Sequence, residues 1–213
     1  MLLNARRLLV TEIGVRDLVL ASHNVGKLGE LRTLLAGLPL RLRGAGEFGL
    51  DEPVESASTF VENALIKARH AARATGLAAL ADDSGIVVDA LGGAPGVLSA
   101  RYAGADATDA ANIQRLLSAC EGLEGAARSC RFVCVIVILR SADDPMPLIA
   151  EGSWNGRLSR VPRGNGGFGY DPVFLDAASG RSAAELGPEQ KHLISHRGQA
   201  LQLLRARLGR PIW

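Results

Sequence analysis

The run Cys130-Arg131-Phe132-Val133-Cys134-Val135-Ile136-Val137-Ile138-Leu139 constrains the fold more than any other stretch of the chain. It is rich in β-branched residues and far shorter than the ~20 apolar residues of a membrane span. A strand without polar alternation has to be covered on both faces, so this run is the expected central strand of a sheet. Leu77 to Ala81 (LAALA) reads the same way, and Asp17 to Ala21 (DLVLA) is a shorter apolar strand. Leu28, Leu31, Leu34, Leu35 and Leu38 recur at helical spacing, as do Ala64, Leu65, Ala68, Ala71 and Ala72 within Phe60 to Thr75, and Ile113, Leu116, Leu117 and Cys120 within Thr108 to Cys120. Leu40 and Leu42 alternate with Arg41 and Arg43 as a short edge strand. Leu148 to Trp154 is expected to pair back after an Asp143-Asp144-Pro145 turn, with Asn155-Gly156 as a further turn.

With 213 residues, 47% of them apolar, the chain is long enough for one substantial core and short for two complete domains. The expected organisation is one domain over residues 17–213 after an extension over 1–16 that is a candidate for disorder. That extension carries Arg6 and Arg7 but neither the long apolar region nor the cleavage site of a signal peptide. A net charge of +2 lacks the polyelectrolyte character of a nonspecific nucleic-acid binder, so an anionic partner has to be met by a few placed cations. Cys130 and Cys134, four apart in one strand and thus roughly 13 Å distant, cannot bridge each other. With Cys120 they are expected to be reduced core residues, which fits a cytoplasmic protein without a membrane span.

The strand Leu77 to Ala81 runs into Asp82-Asp83-Ser84-Gly85. Two readings stand. The segment is either a tight turn with Asp and Ser bonding their own backbone, or a pair of carboxylates made tolerable by a divalent metal or a lysine. Ser22-His23-Asn24-Val25-Gly26-Lys27 leads from a strand into a helix N-terminus, where free N–H groups and Lys27 suit phosphate oxygens; the alternative is an Asn24 N-cap beside a solvated Lys27. Glu62 stands at capping-box spacing from Thr59, which leaves Glu55 as the freer carboxylate upstream. Lys67 shares a helix face with Phe60 and Asn63, though spacing alone favours solvent for it. The glycine-rich segment Gly164 to Pro172 holds Phe168, Gly169, Tyr170 and Asp171, a suitable seat for a planar heterocycle or else a loop whose Phe168 plugs the core. After Lys191, Ser195 is expected to cap a helix carrying His196 and Arg197 in its first turn, where cations oppose the dipole and an anionic or carbonyl-bearing ligand would explain them.

Five segments in order, SHNVGK (22 to 27), TFVENALIKARHAA (59 to 72), ALADDSGIVVDALGGAPGVLSARYAG (79 to 104), GNGGFGYDPVF (164 to 174) and SHRGQAL (195 to 201), resemble the Ham1/RdgB-type family of inosine/xanthosine triphosphate pyrophosphatases. The resemblance runs from about Asp17 to Leu208; His23 stands where a glycine is common. It implies an α/β fold with a long twisted mixed sheet flanked by helices, two lobes with a cleft between them, and a homodimer. It also implies Mg²⁺-dependent hydrolysis of noncanonical purine nucleoside triphosphates (ITP, dITP, XTP) to the monophosphate and pyrophosphate.

By the same resemblance Asp83 is the catalytic carboxylate and metal ligand, supported by Asp82, with Glu55 as a second metal ligand and Lys67 neutralising developing charge. Ser22 to Lys27 would hold phosphates and Ser84 would bond substrate. Phe168 would stack on the base, with Gly169, Tyr170, Asp171, Lys191, His196 and Arg197 around it. The rival readings are a related pyrophosphatase for modified pyrimidine or ordinary nucleotides, a non-catalytic nucleotide sensor, and a module reading deaminated bases in nucleic acid. Carboxylates beside a triphosphate argue against a sensor.

Overall fold

A computed structural model describes residues 16–208; most of the expected extension lies outside the described residues, while Arg16 already belongs to the first strand. The order is β1 (Arg16–Leu20), α1 (Val25–Leu35), β2 (Leu40–Gly44), α2 (Phe60–Thr75), β3 (Ala78–Val88), α3 (Asp109–Ala119), β4 (Ser129–Leu139), β5 (Leu148–Leu158), β6 (Phe174–Asp176), α4 (Pro188–Ile194) and α5 (His196–Leu208). One sheet runs β2-β1-β3-β4-β5-β6. β1 pairs parallel with β2 and β3, and the remaining pairings are antiparallel. This is the expected mixed sheet flanked by helices. The apolar run over 130–139 is indeed central, with β3 on one side and β5 on the other.

Local chemistry accounts for the helix ends. Asn24 accepts the Lys27 N–H at 3.0 Å to start α1, Thr59 accepts the Glu62 N–H to start α2, and Thr108 accepts the Ala111 N–H to start α3. Ser195 accepts the Gly198 N–H at 3.1 Å, so α5 begins where the sequence placed its cap.

The core divides along the long strands. Leu80, Ile136, Ile138 and Ala150 pack with Leu31, Leu35, Leu201 and Leu204 of α1 and α5, while Ala81, Val135 and Val137 pack on Ala64 and Ala68 of α2. Farther along the same strands, Ile86, Val88, Phe132, Trp154 and Phe174 form a third cluster with Ile113 and Leu116 of α3. Asp82 to Gly85 lies along β3 between Leu80 and Ala81 of the first two clusters and Ile86 and Val88 of the third.

Two turn readings fail, and for the first the paired-carboxylate alternative stands. Asp82-Asp83-Ser84-Gly85 and Asn155-Gly156 both lie inside unbroken eleven-residue strands. Their glycines serve close packing and not a bend. A Cβ on Gly85 would stand 2.3 Å from the Gly96 carbonyl oxygen and 2.4 Å from Ser99 Oγ; one on Gly156 would meet the Leu175 carbonyl at 2.4 Å. Ser99 Oγ in turn accepts the Ile86 N–H at 2.9 Å. Gly85→Ala is therefore expected to destabilise the fold by about 1–3 kcal/mol or more, because the obstructing atom is backbone. Chemical denaturation measures it, and an unchanged midpoint would contradict the close approach.

Candidate active site

Because side chains alternate along a strand, Asp82 and Asp83 leave β3 on opposite faces. Mutual repulsion between the adjacent carboxylates is relieved by this alternation, and each meets its own cations. Asp82 faces α1 and α5. Its Oδ2 lies 3.3 Å from Lys27 Nζ and 3.1 Å from Arg197 Nη2, and its side chain has no exposure. Asp83 faces α2, where its Oδ1 lies 3.3 Å from Lys67 Nζ and its Oδ2 accepts from Asn63 at 3.3 Å. Lys67 and Asn63 are both buried, so the solvent-facing alternative for Lys67 does not hold: the helix turns that face onto the sheet.

The electrostatics of the two aspartates differ in sign. Burial would raise the Asp82 carboxyl, but Lys27, Arg197 and Lys67 outweigh it and hold the group well below the usual carboxylate range. At Asp83 burial prevails over Lys67 and Lys27, with Glu55 and Asp82 adding repulsion, and the carboxyl is raised. Burial acts on Lys67 in the lowering direction, yet Asp83, Asp82 and Glu55 together keep its ammonium above its ordinary value.

Glu55 approaches from the loop before α2. Its Oε1 accepts from Lys67 at 2.6 Å and its Oε2 from Arg101 at 3.1 Å. Burial opposes its ionisation, but Lys67 and Arg101 prevail and lower its carboxyl. Thus Asp83 and Glu55, distant in sequence, converge on one ammonium.

A cavity of about 400 Å³ opens over this arrangement. Ser22, Asn24, Lys27, Glu55, Lys67, Asp83 and Ser84 line one part of it; Phe168, Gly169, Tyr170, Asp171, Lys191, His196 and Arg197 line another. Four of the expected site residues lie off the wall. Asp82 is enclosed beneath it, and Val25 points into solvent. His23 turns to the neighbouring loop, with Nε2 2.8 Å from the Leu50 carbonyl and Nδ1 3.6 Å from Glu52. Gly26 backs onto Phe168, whose ring would stand 2.9 Å from a Cβ there.

The second part of the cavity is built on fixed charges. Asp171 Oδ2 accepts from Lys191 Nζ at 2.7 Å and from the Phe168 N–H at 2.9 Å, and burial raises its carboxyl despite Lys191. Lys191 Nζ lies 4.9 Å and the Arg197 guanidinium carbon 5.9 Å from the Phe168 ring centre. Arg197 donates to Glu30, to Asp82 and, at 3.0 Å, to Ser84 Oγ. Glu30, which sequence reasoning passed over, also accepts from Lys191 at 3.3 Å. Only its spacing on α1, three residues after Lys27, hinted at a shared face.

His196 stacks on Phe132 with ring centres 4.8 Å apart. Burial, with Arg197 and Lys191 nearby, holds its imidazole well below its ordinary value, so it is neutral. The expected clash of two cations with the helix dipole does not arise, since His196 is uncharged and Arg197 has two carboxylates. Also unforeseen were Arg101, Asp109 and Phe132 on the cavity wall. Tyr170 Oη donates to the Ser99 carbonyl and the Gly169 N–H donates to Asp109, so the glycine-rich loop is tied to the 96–101 turn and to α3.

No cluster of three or more His, Cys, Asp or Glu side chains able to hold a metal occurs among the described residues. Mg²⁺ commonly takes one or two carboxylates and completes its shell with water and substrate phosphates. Asp83 and Glu55, already converging on a cation in Lys67, fit that pattern.

The fold and the cleft define an α/β protein whose cavity joins a helix N-terminus and paired carboxylates to an aromatic, cation-lined recess. The chain belongs to the Ham1 family, whose sequence model matches residues 18–207. A protein of Xanthomonas oryzae pv. oryzae named dITP/XTP pyrophosphatase is 58% identical over 194 residues, covering 91% of this chain and 98% of its own. One of the same name from Methylococcus capsulatus is 57% identical, with 91% and 96% covered. The solved structure of a HAM1 protein from Coxiella burnetii superposes with a TM-score of 0.85 at 52% identity, covering 91% of this chain and 98% of that one. The Staphylococcus aureus Ham1 protein does so with 0.80 at 38% identity and the same coverage.

Proposed function

We propose that this protein hydrolyses noncanonical purine nucleoside triphosphates, dITP, ITP and XTP, to the monophosphate and pyrophosphate, removing deaminated purines from the nucleotide pool. The observation that carries the reading is a single cavity that unites the Asp83–Lys67–Glu55 cluster with the Phe168–Lys191–Arg197 recess. Relatives named for this activity match over nearly their whole length. The acting unit is read as one domain over residues 17–213, homodimeric by family resemblance. A cytoplasmic setting suits three unpaired buried cysteines, with the Cys130 and Cys134 thiols pushed up to about 12 by burial.

In the proposed mechanism the triphosphate lies along the Ser22 to Lys27 loop, where the first-turn N–H groups of α1 and Lys27 Nζ meet its oxygens. A water attacks the α-phosphorus and gives its proton to Asp83, while the bond to the bridging oxygen breaks and pyrophosphate departs with the electron pair. Its place on the cavity wall beside Lys27 and Lys67 suits Asp83 to that task. Asp83 and Glu55 would hold Mg²⁺, which supplies charge neutralisation on the phosphates and a more acidic water. Lys67, already between the two carboxylates, offsets charge developing on the phosphate.

At the other end the base stacks on Phe168. Arg197 is held by Glu30, Asp82 and Ser84, and one hydrogen of Nη1 remains for the C6 carbonyl of hypoxanthine or xanthine. Adenine presents an N–H there and leaves both donors unpaired, a discrimination of roughly 1–3 kcal/mol. Asp171 keeps Lys191 and the Phe168 backbone in register. His196, neutral, adds a second polar edge.

The test is a product assay on dITP, ITP, XTP, GTP, ATP and dTTP with and without Mg²⁺. Pyrophosphate release from the first three, dependent on the metal, is expected. Orthophosphate in its place, or equal rates on GTP and ATP, would refute the reading.

A further inference from the structure

Arg101 has no role in the mechanism above, yet it lines the same cavity as Lys27, Lys67 and Asp83. It closes the 96–101 turn, which is seated on β3 by the close approach of Gly96 and Ser99 to Gly85. Its Nη1 donates to Glu55 Oε2 at 3.1 Å and its Nη2 to the Glu55 main-chain carbonyl at 2.9 Å. Glu55 Oε1 is taken by Lys67, so two cations share one carboxylate. The Arg101 side chain is 32% exposed against 7% for Lys67. Of its five N–H groups only two are engaged by the bonds just described.

This geometry is that of a cation with capacity in reserve. The bond to the main-chain carbonyl holds the guanidinium head at the cavity independently of the carboxylate, and the other N–H groups of the fork take no part in these two bonds. A planar fork of donors matches two phosphate oxygens better than a lysine does. We propose that Arg101 binds the departing pyrophosphate: as the bond from the α-phosphorus breaks and its electron pair moves to the bridging oxygen, Arg101 meets the charge gathering on the β- and γ-phosphates. The proton of the attacking water goes to Asp83 as before, so Arg101 transfers none. The inference rests on the pyrophosphatase reading and adds to it the residue that receives the leaving group.

Product inhibition with dITP as substrate at saturating Mg²⁺ separates this role from a structural one. Arg101→Gln is expected to raise the inhibition constant for added pyrophosphate by about tenfold or more, the worth of a charge-assisted hydrogen bond, and that for added dIMP by no more than about twofold. Arg101→Lys, which retains the charge, is expected to bind pyrophosphate more tightly than Arg101→Gln. Should Arg101→Gln turn over too slowly, calorimetric titration with pyrophosphate and with dIMP reads the same two affinities. An unchanged pyrophosphate constant, a parallel loss for both products, or equal binding by the Lys and Gln variants would overturn the assignment. Failure of the wild-type protein to release pyrophosphate from dITP refutes the pyrophosphatase reading instead, and is seen before any variant is made.

Discussion

Asp83→Asn is expected to lower kcat by about 10²–10⁴-fold, the range for loss of a positioned general base, with a melting temperature equal to or above that of the wild type. The stability half of this expectation follows from the direction of its shift. Burial raises the folded-state carboxyl above its ordinary value of 3.8, so ionising Asp83 in the fold costs stability. That cost begins as pH rises past the unfolded value and is complete above the folded one; a neutral asparagine removes it. Thermal unfolding and steady-state kinetics check the two halves, and near-normal turnover would remove Asp83 from its assigned role.

Asp82→Asn, one residue away, is expected to behave in the opposite manner. It removes a carboxylate from between Lys27 and Arg197 and leaves two cations poorly compensated, Arg197 2% exposed with only Glu30 remaining. Breaking a buried pair from one side costs about 3–5 kcal/mol. For a chain of this size that is a fall in melting temperature of roughly 6–20 °C. Here the folded carboxyl is depressed, so its stabilisation is present above the unfolded value and is lost as pH falls through the folded one. The gap between wild type and variant is therefore expected to be constant near neutrality and to narrow in strong acid. Activity measured at a temperature where both proteins are folded should fall less than in Asp83→Asn, because Asp82 reaches the substrate only through Lys27 and Arg197. A variant as stable as wild type would show that the pair contributes nothing.

The contrast explains what could and could not be seen in the residue order. Helix starts were legible because a cap is a local bond: Asn24, Thr59, Thr108 and Ser195 each act within three residues of themselves. The central strand was legible because only a doubly covered strand tolerates CVIVIL. The two turn readings that fail, at Ser84-Gly85 and Asn155-Gly156, share one cause. A glycine required for a positive φ and a glycine required by a neighbouring chain look identical in sequence, and only the positions of Gly96, Ser99 and Leu175 separate them.

The same boundary runs through the site. The family resemblance carried by the motifs grouped Asp83, Lys67, Phe168 and Arg197 in one site with Glu55 as an added carboxylate, and all five line the cavity. Tertiary structure alone decided their partners. The alternation of β3 sends Asp82 toward α1 and α5 and Asp83 toward α2, and the pairing of β3 with β4 sets both in the interior of the sheet. Which carboxylate is depressed and which raised depends on the cations that reach it through space, and those come from 55 to 115 residues away along the chain for Lys27 and Arg197 at Asp82. Glu30 and Arg101 stayed hidden for the same reason: a charge is read as surface in a sequence until the fold shows what opposite charge it is buried against.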